Sequence, residues 1–324
     1  MTQQKGADYW TKRISDQEMP ALCSTVRDLE KLAKDDVSSL SLLGRSVMHD
    51  NALTSRILRV ANSATYNKGI NPVSTVSRAA VVLGFDTIRN ICITAKLLTS
   101  LLENKHLSES VYQRLLKLMA QSFQAAMLAR MMMSDRGESL REEVFIASLL
   151  YRIGESAFWS MGGELTEQLD KKLLATDDKI EQNSLIRTEL GTSFTQLTQS
   201  IARSWGLGEV LIKSLAQPDE RMPEIRCIFL ADKLSEIVSQ PKVNAEELHK
   251  RLSQAAEMLD ISVDEFTEKF IDCSEITHKL AIEYGAKAIV SYLPNTADVL
   301  EHVDAPIELT EIRQTNQGYQ LSKL

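Results

Sequence analysis

Only 13 glycines and 7 prolines punctuate 324 residues, roughly half the usual share of each. A chain so poor in residues that take positive φ or break helices cannot make the closely spaced turns of most all-β architectures. Collagen-like and proline-rich structures are excluded on the same ground. Long helices with short connections remain, and the apolar periodicity agrees. Leu22, Val26, Leu29 and Ala33 form one stripe, and Leu40, Leu43 and Val47 the next. Asp50 reads as the N-cap of a helix with Leu53, Ile57, Val60 and Ala61 on one face. Ser74 starts a helix that stops at Gly84, and Asp86 caps another that buries Ile88, Ile91, Cys92, Ala95 and Leu98. Five short helices are thus expected in the first 100 residues.

The second half keeps the period, with Val111, Leu115, Leu118, Ser122 and Ala126 on one face, running into Met131–Met133 as core filler. Ser193 precedes a helix ended by Gly206, and Pro223 begins another. Ser139 with Glu142, Asn244 with Glu247 and Ser262 with Glu265 have capping-box spacing. The last opens a helix predicted to run to about Leu293, where Pro294 stops it. The fold class expected is all-α, a multi-helix bundle.

The formal net charge is −7, which argues against a nucleic-acid binder with a dedicated basic face. The charge is uneven: residues 20–100 carry +4 and residues 101–324 carry −11. Arg56, Arg59, Lys68, Arg78 and Arg89 form a basic stripe, but only Tyr66 and Phe85 interleave it, too few aromatics for single-strand stacking. The first 20 residues lack the apolar core of a signal peptide, and no stretch is apolar enough to span a membrane. Cys23, Cys92, Cys227 and Cys273 form no CxxC pair and read as reduced thiols, so a cytoplasmic location is expected.

Most catalytic signatures are missing. There is no GxxxxGK[ST], GxGxxG or GxSxG, and Gly206-Leu-Gly208 reads as a turn between helices. The five histidines (His49, His106, His249, His278, His302) include no pair at i+3 to i+5, so HExxH is excluded. No cofactor is implied.

Several separate segments resemble the HDOD domain family, in order and with similar spacing. They are Met19-Pro-Ala-Leu22, Leu53 to Ala64, Val76 to Gly84 with Ile88-Arg89-Asn90, Phe145 to Gly154, Glu189-Leu-Gly191 and Trp205-Gly-Leu-Gly208. The resemblance implies an HD-like helical core preceded by an N-terminal helical bundle. It divides the chain into an arm (1–18), an HDOD-like domain (19–240, with the bundle at 19–100 and a degenerate HD-like bundle at 101–240), a C-terminal helical extension (241–295) and a tail (296–324). It also implies a non-catalytic bacterial signalling module. Asn62, Ser63 and Gly84 are family-motif positions expected to be structural, since asparagine tolerates left-handed geometry and both polar side chains can satisfy loose backbone groups.

HD hydrolases hold a metal with a first His, a His-Asp pair and a later Asp. By resemblance these positions are here Gln121, Tyr151-Arg152 and Asp232, while two further histidine positions fall at Leu215 and Ala216 before Pro218. Only Asp232 keeps the family acid. Gln121 is a poor ligand, Tyr151 would have to ionise, and Arg152 brings a positive charge where the ion would sit. No catalytic or metal residue is therefore assigned. Arg152 and Asp232 are expected either to form an internal ion pair or, with Gln121 and Tyr151, to line a vestigial pocket for a small anionic ligand such as a nucleotide phosphate. The function expected is a regulatory scaffold that binds another signalling protein. The alternatives are an HD-type phosphohydrolase acting on a nucleotide or cyclic nucleotide, and a nucleotide sensor.

Overall fold

The structure is a computed structural model, described for residues 5–18, 51–67, 72–102, 107–216 and 221–304. The stripes predicted at 22–33 and 40–47, the Asp50 cap, and Pro218 lie outside the described residues. Among those residues there is no β-strand, and no helix is long and apolar enough to cross a membrane.

Helix α1 (Ala7–Arg13) runs into a π-turn at Ile14–Glu18. The described part of the N-terminal bundle comprises α2 (Asn51–Asn62), α3 (Val76–Leu83) and α4 (Phe85–Leu102). The HD-like body follows with α5 (Glu109–Met132), α6 (Glu138–Leu149), α7 (Ile153–Ser160), α8 (Glu164–Leu174), α9 (Lys179–Leu190), α10 (Phe194–Trp205), α11 (Glu209–Ala216) and α12 (Pro223–Val238). The extension adds α13 (Ala245–Leu259), α14 (Val263–Glu283), a 3₁₀ segment at Lys287–Tyr292 and α15 (Thr296–Asp304).

Helix α5 is the axis. It is apolar on nearly every side and buries Leu115, Phe123, Ala126 and Leu128 completely or almost so, the pattern of a helix surrounded by others. Helices α6, α12 and α14 pack directly on it. Met132 and Met133 are core filler, as expected. The caps at Ser193 and Ser262 form, and Ser193 makes the full box with Gln196. The α3 cap is Thr75 rather than Ser74, and its hydroxyl accepts from the Arg78 amide.

Two local expectations fail for physical reasons. Helix α14 ends at Glu283, because Gly285 turns to φ +78° and the chain continues as a 3₁₀ segment. Ser139 and Glu142 form no capping box. Helix α6 begins at Glu138, and Glu142 is fully buried inside it.

There Glu142 accepts an ion pair from Arg130 of α5 at 2.7 Å. Asn90 of α4 donates to the Glu142 carboxylate and to its carbonyl, both at 2.9 Å. Arg130 also donates to the Tyr66 hydroxyl in the loop after α2. One buried cation thus joins the N-terminal bundle to the body. Tyr284, from the end of α14, packs against Phe123 and Phe145 and brings the extension onto the same core.

The N-terminal arm is docked. Trp10 and Ile14 are fully buried, and Trp10 Nε1 donates to the Leu190 carbonyl at 3.0 Å. Trp205 Nε1 reaches back to Ser15 Oγ at 2.7 Å. Gly191, at φ +69°, lies under the Lys5 carbonyl, and a Cβ there would stand 1.7 Å from that oxygen. The tail likewise begins as a docked helix, with Thr296 and Leu300 buried.

Two predictions follow from this packing. Gly191→Ala strains a left-handed position and evicts the arm, so amide exchange in residues 5–18 and proteolysis within them rise sharply. Glu142→Ala leaves the Arg130 guanidinium buried without its counter-charge and lowers unfolding free energy by about 3–5 kcal/mol in a denaturant titration.

Candidate functional site

Helix α6 stops at Leu149, and a three-residue turn, Leu150-Tyr151-Arg152, leads into α7, with Arg152 at its N-cap and its carbonyl accepting from the Ser156 amide. Gln121 lies on α5 and Asp232 on α12. The fold brings all four together. Arg152 binds Asp232 in a two-pronged pair, Nε to Oδ1 at 2.6 Å and Nη2 to Oδ2 at 2.8 Å. Nη2 also reaches Glu236 Oε2 at 3.0 Å. In the amide orientation that satisfies both its ends, the Gln121 oxygen accepts from Arg152 Nε and Nη2, each at 3.1 Å. Glu155 stands 4.0 Å from Nη1.

The electrostatics follow from this crowding. Burial works to lower the Arg152 pKa, but Asp232, Glu236 and Glu155 together outweigh it and hold the guanidinium charged. Burial, reinforced by Asp232, pushes the Tyr151 phenol upward despite the neighbouring arginine, so it stays protonated. Burial also raises Glu155, against the pull of Arg152. Glu236 moves the other way: burial raises it, but Arg152, Lys233 and Lys179 bring it down to about 2.

These residues do not fit a divalent metal. Both Asp232 oxygens are taken by a guanidinium, Tyr151 keeps its proton, and Gln121 turns its oxygen to Arg152. Among the described residues no three His, Cys, Asp or Glu side chains are grouped to hold an ion. The arrangement supplies a fixed, screened positive charge.

Around it opens a groove of ≈ 1010 Å³, walled by α5, α9, α10 and α12 and including Leu215 in its lining. Ala216 is exposed at the end of α11. A second pair lies on the same floor: Arg114 holds Asp170 at 2.6 Å and stacks over Trp159, while Ser110 donates to Asp170. Sequence reasoning missed Glu155, Glu236, Lys179, Lys233 and this second pair. Glu236 had a signal, one helical turn from Asp232 on the same face; Lys179 had none, since only tertiary packing brings it near.

The other motif positions make local contacts. Asn62 clamps the loop that follows α2: its amide donates to the Val73 carbonyl and its oxygen accepts from the Val73 amide, both at 2.7 Å. Ser63 Oγ caps the Val60 carbonyl. Gly84 ends α3 at φ +80°, where a Cβ would press on Glu138. Cys92, Cys227 and Cys273 are buried, and burial pushes the Cys273 thiol up to about 12.

The Glu236 shift has a pH signature. Its folded pKa lies below the ordinary 4.5, so its contribution to stability is full above that value and is lost as pH falls through about 4.5 toward about 2. The stability advantage of the wild type over Glu236→Gln, read from urea midpoints, is therefore largest near neutrality and vanishes in acid.

The HDOD domain family matches residues 19–220. No curated protein matches the chain in sequence. Among solved structures, a protein of Shewanella amazonensis SB2B, provisionally named a phosphohydrolase, is similar with a TM-score of 0.59 and 18% identity over 88% of this chain and 97% of that one. An HDOD domain protein of unknown function from Geobacter sulfurreducens gives 0.58 and 19% over 82% and 91%. A protein of Marinobacter aquaeolei VT8, provisionally named a signal transduction protein, gives 0.57 and 17% over 90% and 62%. At these identities the structural likeness speaks for the fold, and the family match covers well over half of the chain. The chain belongs to the HDOD domain family.

Proposed function

We propose that this chain is a non-catalytic regulatory scaffold that binds another signalling protein. One observation carries the reading: the acid that remains from the HD ligand set, Asp232, is occupied on both oxygens by Arg152. A guanidinium cannot give up its proton at any ordinary pH, so it neither activates a water nor leaves room for an ion that would. Membership in a family of regulatory domains supports the same reading. The phosphohydrolase alternative, suggested by the name of the Shewanella protein, needs donors that Gln121, Tyr151 and Arg152 do not supply.

The test is elemental analysis of tag-free protein purified without chelator, with a phosphodiester hydrolysis assay beside it. The wild type is expected to carry no stoichiometric Mn, Fe, Ni or Zn and to show no turnover. The variant combining Gln121→His, Tyr151→His and Arg152→Asp rebuilds the missing donors beside Asp232 and is expected to take up Mn²⁺ in equilibrium dialysis. Stoichiometric metal with turnover in the wild type would overturn the scaffold reading.

A further inference from the structure

The groove at the Arg152 cluster is layered by charge. Three of its five acids, Asp170, Asp232 and Glu236, lie beneath cations that are more exposed than they are. Asp170 is 3% exposed under Arg114 at 27%, and Asp232 is 3% exposed under Arg152 at 20%. Glu236, 19% exposed, lies beneath Lys179 at 76% and Lys233 at 34%. Lys117 adds an exposed ammonium to the lining. Counted by formal charge, the lining is balanced, with Glu155 and exposed Asp177 as the remaining acids. Counted by what an arriving ligand touches first, it is cationic. Among the described residues, Glu155 at 4.0 Å is the one ionic neighbour of Arg152 Nη1, which leaves that nitrogen donor capacity.

Two further features shape the occupant. At ≈ 1010 Å³ the groove is at or above the upper end of small-molecule sites. Its edge carries exposed Leu174. That apolar side chain points to an apolar side chain of the occupant rather than to solvent-loving phosphate. Among the described residues no glycine lines the groove.

We infer that this groove docks an acidic, extended peptide segment of a partner protein, its carboxylates meeting Lys117, Lys179, Arg114 and Arg152 and an apolar side chain resting on Leu174. The inference builds on the scaffold reading and gives the partner a chemistry. It runs against the net charge of −7, so recognition is a property of this face and not of the whole molecule.

The test is fluorescence anisotropy on the full chain at low salt. The probe is a short fluorescein-labelled peptide of glutamates interrupted by two leucines; the control carries lysine at every glutamate. The glutamate peptide is expected to bind saturably, the lysine peptide not, and binding is expected to weaken with added salt. Lys117→Glu with Lys179→Glu changes two exposed side chains and is expected to weaken binding at least about tenfold, whereas Lys269→Glu on α14 leaves it unchanged. Equal binding of both peptides, no saturable binding, or indifference to the double substitution would overturn the inference. Saturable binding of inorganic phosphate without peptide binding would also overturn it, in favour of a small anion. None of these outcomes alters the metal and turnover measurements, so the groove and the scaffold reading stand or fall separately.

Discussion

A largely buried guanidinium obliges a fold to bring counter-charges to it, and that obligation organises this molecule twice. Arg152 recruits Gln121 from α5 and Asp232 and Glu236 from α12, with Glu155 of α7 nearby. Arg130 recruits Glu142 from α6 and Tyr66 from the α2 loop, with Asn90 of α4 completing the carboxylate's shell. Arginine suits the task because its planar fork satisfies two acceptors at once and never loses its charge. At the positions that by resemblance correspond to the HD ligand set, this chain has a covalently tethered cation, Arg152, bound to Asp232.

The helical class was legible from the scarcity of glycine and proline and from apolar stripes such as that through Leu115 and Leu118, because α-helices are local structures. The convergence of Gln121, Tyr151, Arg152 and Asp232 followed from resemblance alone, since no spacing rule links positions a hundred residues apart. Glu142 shows why local rules fail. Its distance from Ser139 suits a capping box, yet Arg130 supplies a stronger reason for a carboxylate there than a loose amide does. Gly285 is a second case: apolar residues such as Ile289 continue the stripe beyond it, so periodicity alone carries α14 too far.

The polar composition of the first residues likewise concealed how firmly they are held. Trp10 is one large side chain among charged neighbours, but it contributes both a buried ring and a directed hydrogen bond to Leu190. Resemblance marked Glu189-Leu-Gly191 as a motif without a reason. The structure supplies one: the Leu190 carbonyl and the absent Cβ of Gly191 form the seat for the arm.

That seat sits at the turn between α9 and α10, and the opposite sides of the same two helices wall the groove through Ile186, Phe194 and Thr198. The arm and the groove are thus two faces of one partition. A partition that yields to a load on one side changes the clearance on the other, and the work done is the same whichever side bears the load. The arm at Lys5 and the groove are separated by the thickness of one helical layer.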